Sequence, residues 1–263
     1  MSDEAQALLL CLAPFTGVFN RGWLEQYTTH LKVQPALAGL PYERWLEVLQ
    51  EAANWGLLQP HEQLGQAGYL RLQPIFPYFL KSRLNDESRA ASKNAIEEAY
   101  REHYDDIGDK LSQYIQSNEA QERQIGQLLI EVEYENLMTA LQLALTSTTL
   151  FSQFYNALDL FTRSRRDYLQ QLHLARQVVG FRSRYLSQGN SFVVDFAVVW
   201  LRLGNSHLLL KQYKDAENAY QNALELLNSA GDQSDLNVVS NRASTLHQLG
   251  GVAEEQRQWV AAE

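Results

Sequence analysis

Histidine, cysteine and carboxylate side chains build catalytic and metal sites, and their spacing in this chain builds neither. The six histidines are His30, His61, His103, His173, His207 and His247. No two of them stand four apart, the spacing that would set both imidazoles on one helix face around a metal ion. Cys11 is the lone cysteine, so neither an internal disulfide nor a multi-cysteine zinc site can form. Within the apolar run from Leu8 to Leu12 it reads as a small core residue. There is no Gly-x-Ser-x-Gly turn to strain a nucleophile and no Gly-x-x-x-x-Gly-Lys-Ser/Thr loop to cradle a phosphate. The acids Glu131, Glu133 and Glu135, and Asp105, Asp106 and Asp109, are expected to form solvated helix faces, with no constellation around them for acid–base work. No catalytic residue, cofactor or metal is expected, and the chain reads as a binding protein rather than an enzyme.

The densest basic cluster is Arg163, Arg165 and Arg166 at a turn, with Arg176, Arg182 and Arg184 following. It is either a solvated loop beside Asp159 and Asp167, or a docking patch for an acidic peptide, a phosphate or another domain. The whole chain is acidic: 22 Lys+Arg against 31 Asp+Glu give a net charge of −9 over 263 residues. Such a balance repels a nucleic-acid backbone unless the cations are clustered. Hydrophobic residues at 45% suffice for a core, and only six prolines and 14 glycines interrupt what should be long helices. No apolar run approaches the ~20 residues that span a bilayer. Asp3 and Glu4 stand where a signal peptide needs positive charge. No membrane partner and a cytoplasmic location are expected.

The fold class expected is mainly α, with an N-terminal winged helix carrying a small β-hairpin, then a superhelical array of antiparallel helix pairs. Residues 1–85 hold a short helix stopped by Pro14, a tight connection through Phe15 to Phe19, and a second helix with Trp23, Leu24, Tyr27 and Leu31. A third helix follows from Tyr42 to Trp55, with Trp45, Leu46, Leu49 and Ala53 as its buried face and Gly56 as its cap. Leu57 to Gln59 and Tyr69 to Leu72, separated by a polar stretch with Gly65 and Gly68, read as a hairpin. Pro77 limits the next helix to a broken or late-starting one. This order describes a winged helix, whose third helix would enter a DNA groove. That helix carries Glu43, Glu47 and Glu51 against Arg44 alone, which argues for a packing role and against nucleic acid.

Residues 86–190 read as helical hairpins without a motif. Ile96 to Ile115 and Ile125 to Leu145 lie at helical spacing on either side of Gln116-Ser117-Asn118. Further helices run from Leu150 to Thr162 and from Asp167 to Leu186, with Gly189-Asn190 as a cap. In 191–263 a pattern repeats. Trp200, Leu203, Gly204, His207, Tyr213, Ala216, Tyr220 and Ala223 are followed by Leu246, Leu249, Gly250, Ala253, Trp259 and Ala262. Counting from Ala197, they occupy positions four, seven, eight, eleven, seventeen, twenty, twenty-four and twenty-seven. This resembles the tetratricopeptide repeat, in which small residues at eight and twenty let two helices approach and large ones fill the wedge. Gly204 to Gly250 is 250 − 204 = 46 residues, longer than the usual ~34. Gly231-Asp232 punctuates the two copies. A first helix from Asp235 to Glu255 and a second from Gln258 are expected, so the last hairpin is incomplete and the chain reads as a fragment.

The resemblance implies that the first helix of each pair lines a concave groove. Its inward positions are Val198, Leu201, Asn205, Leu208 and Leu209, then Ser244, His247, Gly251, Glu254 and Glu255. Leu201, Asn205, Leu208, His247 and Glu254, with Arg163, Arg165 and Arg166, are the candidate partner-binding residues. A groove apolar at one repeat and acidic at the next would take an amphipathic or basic segment of a protein or peptide. Leu201 and Leu208 would otherwise pack on the preceding hairpin. The run Glu133-Tyr134-Glu135-Asn136-Leu137-Met138-Thr139-Ala140-Leu141 is similar to an acidic-Asn-Leu-x-x-Ala-Leu helix at the head of the repeats in bacterial STAND signalling ATPases, including NB-ARC-like members. Leu246-His247-Gln248-Leu249-Gly250 looks like repeats abundant in cyanobacterial members. The resemblance implies a regulatory and sensor portion whose ATPase lies outside this chain and whose partners include other domains of the same protein. The reading from another class is a winged-helix transcription regulator with a tetratricopeptide sensor array.

Overall fold

The computed structural model describes residues 2–186, 192–230 and 234–262, without the side chains of 186 and 257–262. The expected punctuation at Gly189, Asn190, Gly231 and Asp232 lies outside the described residues, as do the side chains of Trp259 and Ala262. The protein is mainly helical, with a small antiparallel sheet near its N-terminus. The chain divides into two compact units, Met1–Leu158 and Asp159–Glu263.

The first unit opens with α1 (Asp3–Leu10), whose cap Ser2 accepts a hydrogen bond from the Ala5 amide at 3.3 Å. Strand β1 (Val18–Asn20), α2 (Leu24–Lys32), α3 (Trp45–Asn54), β2 (Leu58–Pro60), β3 (Tyr69–Leu72) and α4 (Ile75–Leu84) follow. The expected hairpin is β2–β3, and the supposed connection at Val18 supplies a third strand, so the antiparallel order is β1-β3-β2. Helix α4 is unbroken. Pro77 falls in its first turn, where a missing N–H costs nothing because those amides have no intrahelical acceptor. On α3 the buried face is Trp45, Val48, Leu49 and Ala52; Leu46, expected inside, is 69% exposed. The buried stripe follows i, i+3, i+4, i+7 spacing from Trp45, and Leu46, one residue on, falls outside it.

The long helices α5 (Ala90–Gln116) and α6 (Ala120–Ser147) pack as the antiparallel pair expected from their short connection. They approach so closely at Gly126 that a Cβ there would lie 2.9 Å from the Ile115 amide nitrogen and from the Tyr114 Cβ. The buried stripe of α6 is Gly126, Ile130, Glu133, Leu137, Ala140, Leu141 and Ala144. Ile125 and Leu128, expected inside, are largely exposed, because the close contact is made one residue further on. An edge-to-face aromatic cluster fills the core: Phe15 meets Phe19, Tyr27, Tyr100 and Tyr104 at centroid distances of 5.0 to 6.1 Å. Cys11 is buried there, as expected.

The second unit takes up α7 (Ser152–Ser164) at Asp159 and continues through α8 (Tyr168–Val179), α9 (Arg182–Leu186), α10 (Val193–Leu209), α11 (Tyr213–Ser229) and α12 (Leu236–Ala262). The single helix expected from Asp167 to Leu186 is divided at Gly180 into α8 and α9. Helix α12 runs on through Gln258, so the expected start of a second helix there is not seen. No turn residue stands near Gln258 to break a helical run.

Candidate functional site

Gly204 on α10 decides how the central hairpin closes. A Cβ at this position would collide with the Tyr220 ring of α11. Only glycine admits the fully buried tyrosine, whose hydroxyl then donates to Asn205 Oδ1 at 2.8 Å. Burial pushes that hydroxyl up to about 12. Ala216, Tyr220 and Val252 form the centre of the apolar cluster, with Leu201, Leu208, Tyr213 and Leu249 packed against it. His207 is buried, and its Nδ1 lies 2.6 Å from Gln212 Oε1 at the mouth of α11. The turn between the helices closes through Lys211 at φ +57°, with Gln212 N donating to the His207 carbonyl at 2.9 Å.

The structure sorts the expected inner face into two parts. Leu201 and Leu208 are half-buried against α11 and α12, so they hold the array together. Asn205 accepts the Tyr220 hydrogen bond. Leu209 remains 54% exposed on α10, and Ser244, His247, Glu254 and Glu255 are exposed on α12. Of the expected positions, those left open are therefore Leu209, Ser244, His247 and the two acids Glu254 and Glu255, with Leu246 of α12 also exposed, while Leu201 and Leu208 are partly inside.

The basic turn is built on a buried acid. Asp159 is 2% exposed, and its Oδ2 takes Arg163 Nη2 at 2.6 Å and Arg202 Nη1 of α10 at 3.3 Å. Its Oδ1 accepts from Gln171 Nε2 of α8 at 3.0 Å. Arg163 is thus a structural partner of Asp159 as well as half-exposed. The Arg165 guanidinium lies 5.3 Å from the Phe161 ring centroid. Arg166 is exposed at φ +56°, and Asp167 caps α8 through the Gln170 amide at 3.0 Å.

These contacts expose a register that motif reading missed. Asp159, Thr162, Arg166, Tyr168, Gln171, Ala175 and Val178 each precede Gly204, His207, Lys211, Tyr213, Ala216, Tyr220 and Ala223 by 45 residues, as 204 − 159 = 45 shows for the first pair. Arg166 and Lys211 share the left-handed turn conformation. The α7–α8 pair is therefore in phase with α10–α11, with an Asp159–Gln171 hydrogen bond at the positions that Gly204 and Ala216 hold in the other pair.

In the first unit Glu131 and Glu135 of α6 are exposed as expected, but the acid between them is not. Glu133, expected in water, is fully buried. Its Oε2 accepts from Tyr104 Oη and Asn136 Nδ2, both at 2.7 Å. Asn136 Nδ2 also donates to the Val18 carbonyl at 2.9 Å, and its Oδ1 accepts from the Thr16 amide at 2.8 Å and the Thr16 hydroxyl at 3.0 Å. Tyr100 donates to the Asn136 carbonyl at 3.1 Å. The segment thus fastens β1 and the chain entering it onto the α5–α6 pair. Burial raises the Glu133 carboxyl above its ordinary range, against the pull of the Asn136 and Tyr104 hydrogen bonds. Nearby His103 is held down at about 3, chiefly by burial. Just ahead of α3, Arg44 is taken up by Glu47 at 2.9 Å and Glu4 at 2.7 Å. No described helix is long and apolar enough to cross a membrane.

A tetratricopeptide-repeat family model matches residues 197–227, which is α10 from its fifth residue through most of α11. No curated protein and no solved structure gives a significant match.

Proposed function

We propose that the chain is a protein–protein interaction module. In this reading the exposed acidic face of α10 and α12 takes a basic, amphipathic segment of a partner. The observation that carries it is the tetratricopeptide match over 197–227 together with the placement of Leu209, His247, Glu254 and Glu255 on open surface. Repeats of this kind stack so that first helices form an extended inner surface. Partner binding there needs no catalytic group, and we assign the chain none.

The finer reading is that it serves as the regulatory part of a cytoplasmic signalling ATPase of the STAND type. The order α1-β1-α2-α3-β2-β3 followed by helix pairs supports it, as does the use of Glu133 and Asn136 to seat the N-terminal sheet. Ligand-biased packing among the array, the winged helix and an ATPase domain would be its mechanism. The neutralisation of Arg44 by two carboxylates favours this over DNA reading by α3.

The test is fluorescence anisotropy of a labelled Leu/Lys amphipathic peptide titrated with the full chain. Saturable binding, lost in E254K/E255K and kept when the exposed Glu62 is changed to lysine, supports the assignment. Equal losses in both variants would place binding outside the inner face. Tight, saturable binding of duplex DNA at moderate salt would favour the transcription-regulator reading instead. For the ATPase context, an in-frame phosphate-binding loop encoded ahead of Met1 is the result expected.

A further inference from the structure

The first unit carries a second surface that the repeat reading does not use. Helix α4 presents Ile75, Tyr78 and Phe79 to solvent at 72%, 74% and 52% exposure. These positions, with Arg83, follow i, i+3, i+4 and i+8 spacing and so share one stripe. Trp55, 70% exposed, stands two residues before Leu57, whose carbonyl accepts from the Gln73 amide just ahead of α4 at 3.0 Å. Exposed aromatics gathered in this way are uncommon on a surface without a partner.

Beside the stripe lies a cleft of about 210 Å³ between α1 and α4. Leu9, Leu10, Leu57, Phe76 and Leu80 floor it. Its charged lining residues are Arg83 and Arg89, with no carboxylate among them. Arg83 lies over the Phe79 ring at 5.4 Å. Neither arginine is in an ion pair among the described residues. The neighbouring Asp86 carboxylate accepts from the Ser88 amide at 2.9 Å and the Ser88 hydroxyl at 2.6 Å, which chiefly hold it below its ordinary range, and the charges of Arg89 and Arg83 add to that. A cleft whose charged lining is two arginines, in a chain of net charge −9, selects by charge as well as by shape.

We propose that this cleft and the α4 stripe dock a short acidic peptide segment carrying one bulky apolar anchor. The anchor enters the cleft between Leu10 and Phe76, and the acidic residues beside it pair with Arg83 and Arg89. The preference is the reverse of that proposed for the α10–α12 face, so the two surfaces take partners of opposite charge.

The experiment is selection of short random peptides displayed on phage against the full chain, followed by anisotropy titration of the enriched peptides. Expected are sequences with Asp or Glu flanking a Phe, Leu or Trp. Their affinity should fall about tenfold or more in R83E/R89E and in F79A, while Glu62→Lys at an exposed position outside both surfaces leaves it unchanged. The three substituted groups are exposed, and circular dichroism checks that each variant keeps its helix content. Failure to enrich any peptide, enrichment without acids, or binding that survives R83E/R89E would overturn the proposal. Loss of the α10–α12 reading would leave it standing.

Discussion

The hairpins α7–α8 and α10–α11 solve one packing problem with opposite chemistry. Where α10 meets the Tyr220 ring of α11, the chain removes a side chain: Gly204 has no Cβ, and the ring fills the space. At the matching place, 45 residues earlier, it adds a polar one. Asp159 bonds to Gln171, and the tyrosine is replaced by Ala175. Small and large have changed partners across the interface, so the pair keeps its volume while trading an apolar contact for a buried charge. The charge is tolerable because Arg163 and Arg202 neutralise it, and Arg202 reaches from α10, so the polar contact also ties the first hairpin to the second. An apolar contact gives stability without direction; a buried ion pair adds orientation at the cost of depending on every partner.

The comparison can be broken most forcefully at Asp159. Asp159→Ala should cost about 3 kcal/mol, since it removes the buried carboxylate that Arg163, Arg202 and Gln171 all contact. The half-exposed Arg163 can return to water, which keeps the loss at the low end of such values. A urea midpoint unchanged from wild type would show that the ion pair contributes nothing. Adding Gln171→Ala to that variant should cost less than Gln171→Ala alone, because the amide has already lost its acceptor on Oδ1.

Gly204→Ala comes next. Overpacking against the Tyr220 ring should cost about 2 kcal/mol, seen as a lower urea midpoint without a change of slope. An accommodated alanine would mean that α10 and α11 can separate cheaply, and the size argument would fall.

A third test uses pH and sharpens the contrast with the other buried acid. Asp159 faces guanidinium groups, whereas Glu133 faces hydroxyl and amide donors. Its pKa is raised in the folded chain, so its contribution is present below the ordinary value of 4.5 and is lost as pH rises through the raised one. His103, lowered to about 3, acts with the opposite sign: its contribution is present above 6.5 and fades as pH falls. The difference between wild type and Glu133→Gln isolates the carboxyl. The variant should lose that part of the pH dependence while keeping the Thr16 and Val18 amides protected from exchange. Identical pH profiles would contradict the assignment.

The smallest effect is expected at Gly250, which holds the repeat position of Gly204. A Cβ there meets no atom within 4 Å among the described residues. Gly250→Ala should therefore stabilise α12 by about 0.5 to 1 kcal/mol through helix propensity alone. Thermal melting of the two glycine variants side by side would show opposite shifts.

How much of this was legible depends on which residues spoke through size and which through polarity. Gly204, Ala216, Tyr220 and Ala223 could be read because small and large residues at fixed spacing have one meaning in a helix pair. Asp159 and Gln171 occupy the same positions but resemble ordinary turn neighbours of an arginine cluster. The 45-residue offset linking them to Gly204 and Ala216 was the signal that could have found them. Glu133 was misread because Glu131 and Glu135 beside it suggested a solvated face. Its phase with Ile130, Leu137 and Ala140 placed it on the buried stripe. Leu46, Ile125 and Leu128 failed in the other direction, since apolar character alone cannot tell a core position from an exposed one. The strand at Val18 is too short to show alternation, and it exists because β3 and Asn136 receive it.

The account stands most directly on the charge of the α10–α12 face. A labelled Leu/Lys peptide and its Leu/Glu counterpart would be titrated against F79A, in which the α4 cleft is weakened, and against the same chain also carrying E254K/E255K. The first is predicted to bind the basic peptide and the second to prefer the acidic one. Two proteins with the same preference would contradict the assignment of partner binding to this face.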